Sequence, residues 1–169
     1  MYLIEDTRNQ IGKHKNIEQY CKRNKITLVR ACLSVGDYMI GKMVDGEIKP
    51  VGNISIDTKE NCLEICSNIC SSDHRRFKAE CERSQQLGIR LIVLIEEMPP
   101  FGEIDLWEVP RWQNSNGWHR FGDPMTLVEP KTLKKAMKTM TDKYGVQFRF
   151  CHRKYTASKV MKYLKGELK

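Results

Sequence analysis

The chain has 169 residues, 40% hydrophobic and 30% charged, a balance that supports one folded domain and excludes a wholly disordered protein. Lys and Arg number 29 against 21 acids, so the chain carries +8 at neutral pH and permits a polyanionic partner without demanding one. No apolar run approaches the roughly 20 residues of a membrane helix, and the first residues, MYLIEDTRNQ, lack a signal-peptide core, so a cytoplasmic protein is expected.

In chain order, Tyr2 to Glu5 reads as a short strand, and Lys13 to Lys25, with Ile17, Tyr20 and Cys21 at helical spacing, as a helix. Ile26 to Leu33 is a second strand. Tyr38 to Met43 and Val51 to Lys59 form a hairpin-like pair about Asp45-Gly46, with DGEIKPVG as a loose projecting turn. Two helices follow, Glu60 to Cys70 and Arg75 to Leu87; Ser71, Ser72 and Asp73 are cap candidates for the second and Gly88 is its stop. The run RLIVLI, Arg90 to Ile95, is a buried strand. Phe101 to Val128 holds all three tryptophans and little periodicity, an ordered loop in which Trp112 and Trp118 either stack on bases or fill core. Pro130 to Tyr144 is a helix, Val146 to Cys151 a strand, and Ala157 to Leu164 a closing helix. This alternation predicts an α/β domain with a central mixed sheet flanked by helices.

Cys62, Cys66 and Cys70 fall at i, i+4, i+8 on one helix stripe. Zinc binding is one reading; without a C-x-x-C pair, reduced thiols acting as small buried hydrophobes are the better one. Lys131, Lys134, Lys135 and Lys138 form a basic face on the later helix, read as solvated. His74, Arg75 and Arg76 open a helix, where a basic N-terminus suits phosphate.

The chemistry concentrates in NISIDTKENC, Asn53 to Cys62. A strand period of two puts Asp57 and Lys59 on one face. If the hairpin strands pair antiparallel, Asp37 of Gly36-Asp37 lies at the same end. Two carboxylates there suit a hard cation such as magnesium, and a lysine beside them suits positioning of a water or charge on a phosphate. Taken singly, Asp37 reads as a turn residue, Asp57 and Lys59 as a solvated pair, and Asp6 as a strand-end cap. Taken together and in order they favour catalysis.

The ordered set VGDY (35–38), IDTK (56–59), EDTR (5–8), HRRF (74–77) and LIVLIEE (91–97) resembles the nuclease domain of the XPF and Hef proteins, within the PD-(D/E)-x-K restriction-endonuclease-like superfamily. Gly36 and Asp37 match the family's G-D; Asp57, Thr58 and Lys59 stand at its E-R-K. Asp6, Thr7, Arg8 and Asn9 stand at D-x-R-E, Arg76 and Glu80 at R-x-x-x-Q, and Leu63 where a trailing acid is usual, with Glu64 one residue later and Glu60 nearby. The resemblance implies a single nuclease domain over 1–169, with an XPF-like core over 1–97 and a Trp-containing loop plus helix-strand-helix extension over 98–169. It is similar to a stand-alone version of the kind found in phages and bacteria. It implies a magnesium- or manganese-dependent DNA endonuclease acting on branched or flapped DNA in repair or recombination, with homodimerisation left open. Asp37 and Asp57, with the Thr58 carbonyl, would ligate metal; Lys59 would act on the water or the transition state; Asp6 would assist an outer site; Arg76 would orient the cluster or contact phosphate. A non-catalytic DNA-binding or scaffolding module on the same fold is the alternative.

Overall fold

The computed structural model describes residues 1–12, 14–70, 73–97 and 130–168. The tryptophan-bearing stretch, with Trp112 and Trp118, lies outside the described residues. Seven strands form one mixed sheet: β1 (Tyr2–Asp6), β2 (Thr27–Ala31), β3 (Tyr38–Val44), β4 (Glu47–Pro50), β5 (Ile54–Lys59), β6 (Arg90–Ile95) and β7 (Gln147–Phe150). They run in the order β2-β1-β3-β5-β6-β7, with β4 added to β3. β1 and β2 are parallel, as are β5, β6 and β7; β3 is antiparallel to β1, β4 and β5. Strands β1, β5, β6 and β7 therefore all end at the edge where β3 begins.

Among the described residues five α-helices cover the sheet: α1 (Lys15–Arg23), α2 (Cys62–Cys70), α3 (His74–Gln86), α4 (Pro130–Tyr144) and α5 (Thr156–Leu164). The alternation of β6 divides the core. Leu91, Val93 and Ile95 pack against Ile65, Phe77, Leu133 and Met137 of α2, α3 and α4. Ile92 and Leu94 face Ile17 of α1 and Val160, Met161 and Leu164 of α5. A strand buried on both faces needs a continuous apolar run, which is what RLIVLI supplies. Cys62, Cys66 and Cys81 belong to the first cluster. Burial pushes the Cys62 thiol up and that of Cys81 up to about 12, as expected of thiols packed among apolar side chains, while Cys70 is only partly buried at the edge of the cluster.

One expectation is corrected. The stretch after Asp45-Gly46 is not a loose turn: Glu47–Pro50 is a strand, paired to β3 from Gly41↔Pro50 to Val44↔Glu47. Asp45 (φ 51°) and Gly46 (φ 80°) both take positive φ, the signature of a tight type I′ turn. The chain then passes through Val51–Asn53 into β5, so the hairpin partner of β3 is β4 over most of its length. Contact between β3 and β5 reduces to the single pair Tyr38↔Ile56.

Candidate active site

That narrow contact is where the acidic residues gather. Gly36 takes φ +68°, and a Cβ there would fall on Ser55 Oγ and lie 2.9 Å from the Ile56 carbonyl oxygen. Glycine alone lets the chain press this closely onto β5. As a result the Asp37 amide donates to the Ile56 carbonyl (2.7 Å), and the Asp37 carbonyl accepts from the Asp6 amide (2.8 Å). The Asp37 carboxylate then folds over the end of β5, where Oδ2 accepts from the Thr58 amide (2.9 Å) and hydroxyl (2.5 Å). Ile56 and Thr58 share one alternation, so the Thr58 carbonyl points to the same side as the Ile56 carbonyl, toward Asp37.

Asp57 and Lys59 lie on the opposite face, toward α3. Both are buried, at 4% and 9% exposure, so neither is the solvated pair that the bland reading of the sequence allowed. Lys59 Nζ donates to Asp57 Oδ1 (2.9 Å) and stands as close to Oδ2. That second oxygen is nonetheless buried without a hydrogen-bond donor in suitable geometry among the described residues. Burial first, then the nearby charges of Asp37 and Glu80, push the Asp57 carboxyl up to about 7, against the pull of Lys59. On Lys59 the balance differs: burial lowers it, but Asp57, Asp37 and Glu64 outweigh burial and keep the ammonium charged.

Removing Asp37's carboxylate should cost the fold as well as the site. Asp37→Ala strands the Thr58 amide and hydroxyl beside a buried strand, a loss of about 2–4 kcal/mol if both go unsatisfied. Urea unfolding checks this; a midpoint equal to the parent's would mean water replaces the carboxylate at no cost.

The remaining sequence-derived candidates divide. Asp6 reaches the same edge, but its carboxylate accepts from the Arg8 amide (2.7 Å), Arg8 Nε and Nη2 (2.8 Å each) and the Leu33 amide (2.8 Å). Burial raises its pKa, yet these hydrogen bonds prevail and hold the carboxyl below its ordinary range. Arg8 also donates to the Leu33 carbonyl (2.9 Å), so Asp6 and Arg8 together tie down the segment that leads to Gly36. Arg76 is exposed and its side chain makes no hydrogen bond or ion pair among the described residues; it does not clamp the cluster there. Glu80, one turn later on α3, does: its Oε1 accepts from the Gly36 amide (2.8 Å). Leu63 is partly buried, while Glu64 comes within 3.9 Å of Lys59 Nζ and accepts from the Glu60 amide (2.7 Å). Asn61 Oδ1 accepts from the Glu64 amide (2.9 Å), so a capping box at the start of α2 carries Glu64 toward the lysine.

Two contributors had no strong sequence signal. Glu80 was visible only as the fourth residue after Arg76. His14 lies in a polar stretch, yet its Nδ1 is 2.7 Å from Tyr38 Oη and its Nε2 is 3.4 Å from Thr58 Oγ1. Tyr38 Oη also donates to Glu5 Oε1 (3.0 Å), and Arg30 bonds the other oxygen of Glu5 (3.0 Å). A buried polar chain thus runs from Arg30 through Glu5, Tyr38, His14 and Thr58 to Asp37, fixing the Asp37 carboxylate from behind.

The family profile of the ERCC4 domain matches residues 6–164, nearly the whole chain, a span that includes Asp6, Asp37, Asp57, Lys59 and Glu80. The chain belongs to the ERCC4 domain family. Among solved structures it is similar to XPF from Aeropyrum pernix, at TM-score 0.62 and 14% identity over 99% of this chain. It is similar to the same protein in complex with DNA, at TM-score 0.62 and 14% identity over 98% of this chain. It spans 65% and 64% of those two chains. No curated protein matches the chain by sequence. The ERCC4 fold expected from VGDY, IDTK and LIVLIEE is therefore present, and it is a nuclease-type fold with G-D and D-x-K at one edge. Among the described residues, no three His, Cys, Asp or Glu side chains are close enough to form a ready metal cage, and no helix is long and apolar enough to cross a membrane.

The residues do fit a hard divalent cation. Asp57 Oδ2 is buried beside the Lys59 ammonium and accepts no hydrogen bond in suitable geometry among the described residues, and the charges of Asp37 and Glu80 both act on this carboxylate. A cation there would offset the repulsion from Asp37 and Glu80 that, after burial, raises the Asp57 carboxyl.

Proposed function

We propose that this ERCC4-domain protein is a divalent-metal-dependent DNA endonuclease that hydrolyses phosphodiester bonds, acting on branched or flapped DNA in repair or recombination. The observation that carries the reading is that Asp37, bonded to the Thr58 amide where β5 ends, lies near enough to the Asp57–Lys59 pair for its charge to act on both. Ligand sites in open α/β sheets favour this C-terminal edge of the parallel strands.

In this reading Asp37 and Asp57 hold magnesium or manganese, helped by the Thr58 carbonyl. The bound cation supplies Lewis acidity toward the scissile phosphate and lowers the pKa of a nucleophilic water. Lys59, kept charged by its carboxylate neighbours, holds the attacking water in line or stabilises negative charge on the phosphate oxygens. Glu80 fixes the Gly36 amide and so the height of Asp37 above the strand. Asp6 acts through Arg8 as a positioning residue. Arg76, exposed on α3, is free to meet a phosphate.

The test is cleavage of flap, fork, Holliday-junction and duplex DNA with magnesium, with manganese and with a chelator. Cleavage restricted to the metal-containing reactions and preferring branched substrates is expected. Binding should weaken steeply with salt, with a log–log slope of about −4 to −5 for about five phosphate contacts. Leu63 in the trailing acid's place and the closed Lys59–Asp57 pair favour a second reading, a non-catalytic DNA-binding or scaffolding module. Tight, salt-sensitive binding of branched DNA with no cleavage in either metal would establish that reading instead.

A further inference from the structure

The sheet edge that carries the acidic cluster also carries a cationic cleft. The loop after β1, the first turn of α1 and the 3-10 turn Arg153–Tyr155 before α5 surround an open cavity of about 410 Å³, lined by Gly12, Lys15, Asn16, Arg153 and Lys154. Three of these five residues are cationic and none is acidic. Asn16 Nδ2 donates to the Arg153 carbonyl (3.2 Å), which ties the two walls together. His152 Nδ1 accepts from the Lys154 amide (3.3 Å) and holds the turn in shape. Lys154 Nζ sits 4.8 Å over the ring of Tyr155, which is 52% exposed. Lys15 is exposed and makes no ion pair among the described residues. The helices α1 and α5 both start here, so their N-termini add to the positive potential of the side chains.

The cleft adjoins the acidic cluster. Arg153 reaches Glu60, the residue after Lys59, at 3.5 Å, and Glu96, the residue after β6, at 3.4 Å. A small-molecule site would enclose most of its ligand in a largely apolar wall. This cleft has an open mouth and three cationic side chains in its wall, the form suited to a chain of phosphates that passes through and continues beyond.

We propose that the cleft is a phosphate-backbone subsite that holds a DNA strand as it leaves the cutting position, with Lys15, Arg153 and Lys154 meeting the phosphates and Tyr155 as an adjoining stacking surface. The proposal rests on the endonuclease reading for the direction of the strand; the subsite itself is defined by binding.

The experiment compares two double variants, each removing two lysine charges. Lys15→Ala with Lys154→Ala removes two of the three cations of the cleft and leaves Arg153. Lys49→Ala with Lys165→Ala removes the same charge at the opposite end of the sheet, on β4 and just past α5. All four side chains are exposed, so both proteins should fold. Anisotropy of a labelled flap DNA, read with chelator so that nothing is cut, should show the cleft variant bound at least about 10-fold more weakly. Its salt slope should be shallower by about 2, since each phosphate that a lysine no longer neutralises removes about 0.9. The control variant should stay within about 2-fold of the parent. Equal weakening and equal slopes in the two variants would mean a general field effect and would overturn the subsite. A parent that binds DNA through the cleft but does not cut would overturn the endonuclease reading alone. A parent that cuts, with a cleft variant of unchanged affinity, would overturn the subsite alone. A parent that binds no DNA would overturn both.

Discussion

Asp57→Asn is expected to reduce cleavage at least about 100-fold while DNA affinity, measured in calcium or with chelator, stays level or tightens. The amide keeps the size of the carboxylate but gives a hard cation no charge to bind. The effect on the fold is a balance of two terms. Burial makes the Asp57 charge costly, so its removal relieves the protein; Lys59 loses its nearest counter-charge, which is costly for a buried ammonium. Lys59 retains Glu64 at 3.9 Å and the field of Asp37, so the net change should stay within about 2 kcal/mol. Thermal melting read beside the activity separates lost chemistry from lost structure. Cleavage at the parent's rate would place the reaction elsewhere on the protein or nowhere.

Gly36→Ala should be the more damaging change to the fold. The new Cβ would fall on Ser55 Oγ and 2.9 Å from the Ile56 carbonyl oxygen, at a φ of +68° that an L side chain resists. Backbone strain of about 1–3 kcal/mol and overpacking of similar size add to a loss of about 2–6 kcal/mol. Any protein that still folds would lift Asp37 off β5 and lose the bond to the Thr58 amide. A second substitution, Ser55→Ala, removes one of the clashing atoms but neither the Ile56 carbonyl nor the strained φ. The pair should therefore recover only part of the loss, less than the two single costs added. Unfolding in urea decides it: a Gly36→Ala midpoint within error of the parent's would show that the chain relaxes away from β5 freely.

What could be read from the sequence followed the strength of the local signal. RLIVLI gave β6 at its observed bounds, because a strand covered on both faces needs an unbroken apolar run, here the five residues from Leu91 to Ile95. Pro130 and Gly145 bracketed α4 correctly for the same kind of local reason. β4 went unseen because EIKP has one apolar residue and a proline, tolerable only on an edge strand such as this one. In the site, D-x-K spacing and the G-D pair located Asp37, Asp57 and Lys59. The roles of Glu80 and His14 depend on which helix packs where, and no periodicity along the chain records that. Asp6 shows the converse case: its position in the pattern was evident, but whether its oxygens face a cation or Arg8 is decided by a fold through Leu33, 27 residues away.

The single ladder pair between β3 and β5 bears on how such a protein can decay over evolutionary time. The sheet is two half-sheets met at one backbone pair, and the carboxylate of Asp37 serves as one of the fasteners between them. Asp57 faces inward from a strand that is already secured to β6 along its whole length, so the ladder does not depend on its charge. A lineage that no longer needed to cut DNA could drift at Asp57 with little change in the sheet, whereas drift at Asp37 would first require another way to hold the half-sheets together. Loss of activity and loss of the G-D pair should then be separable events, with the inward-facing acid the earlier one to go.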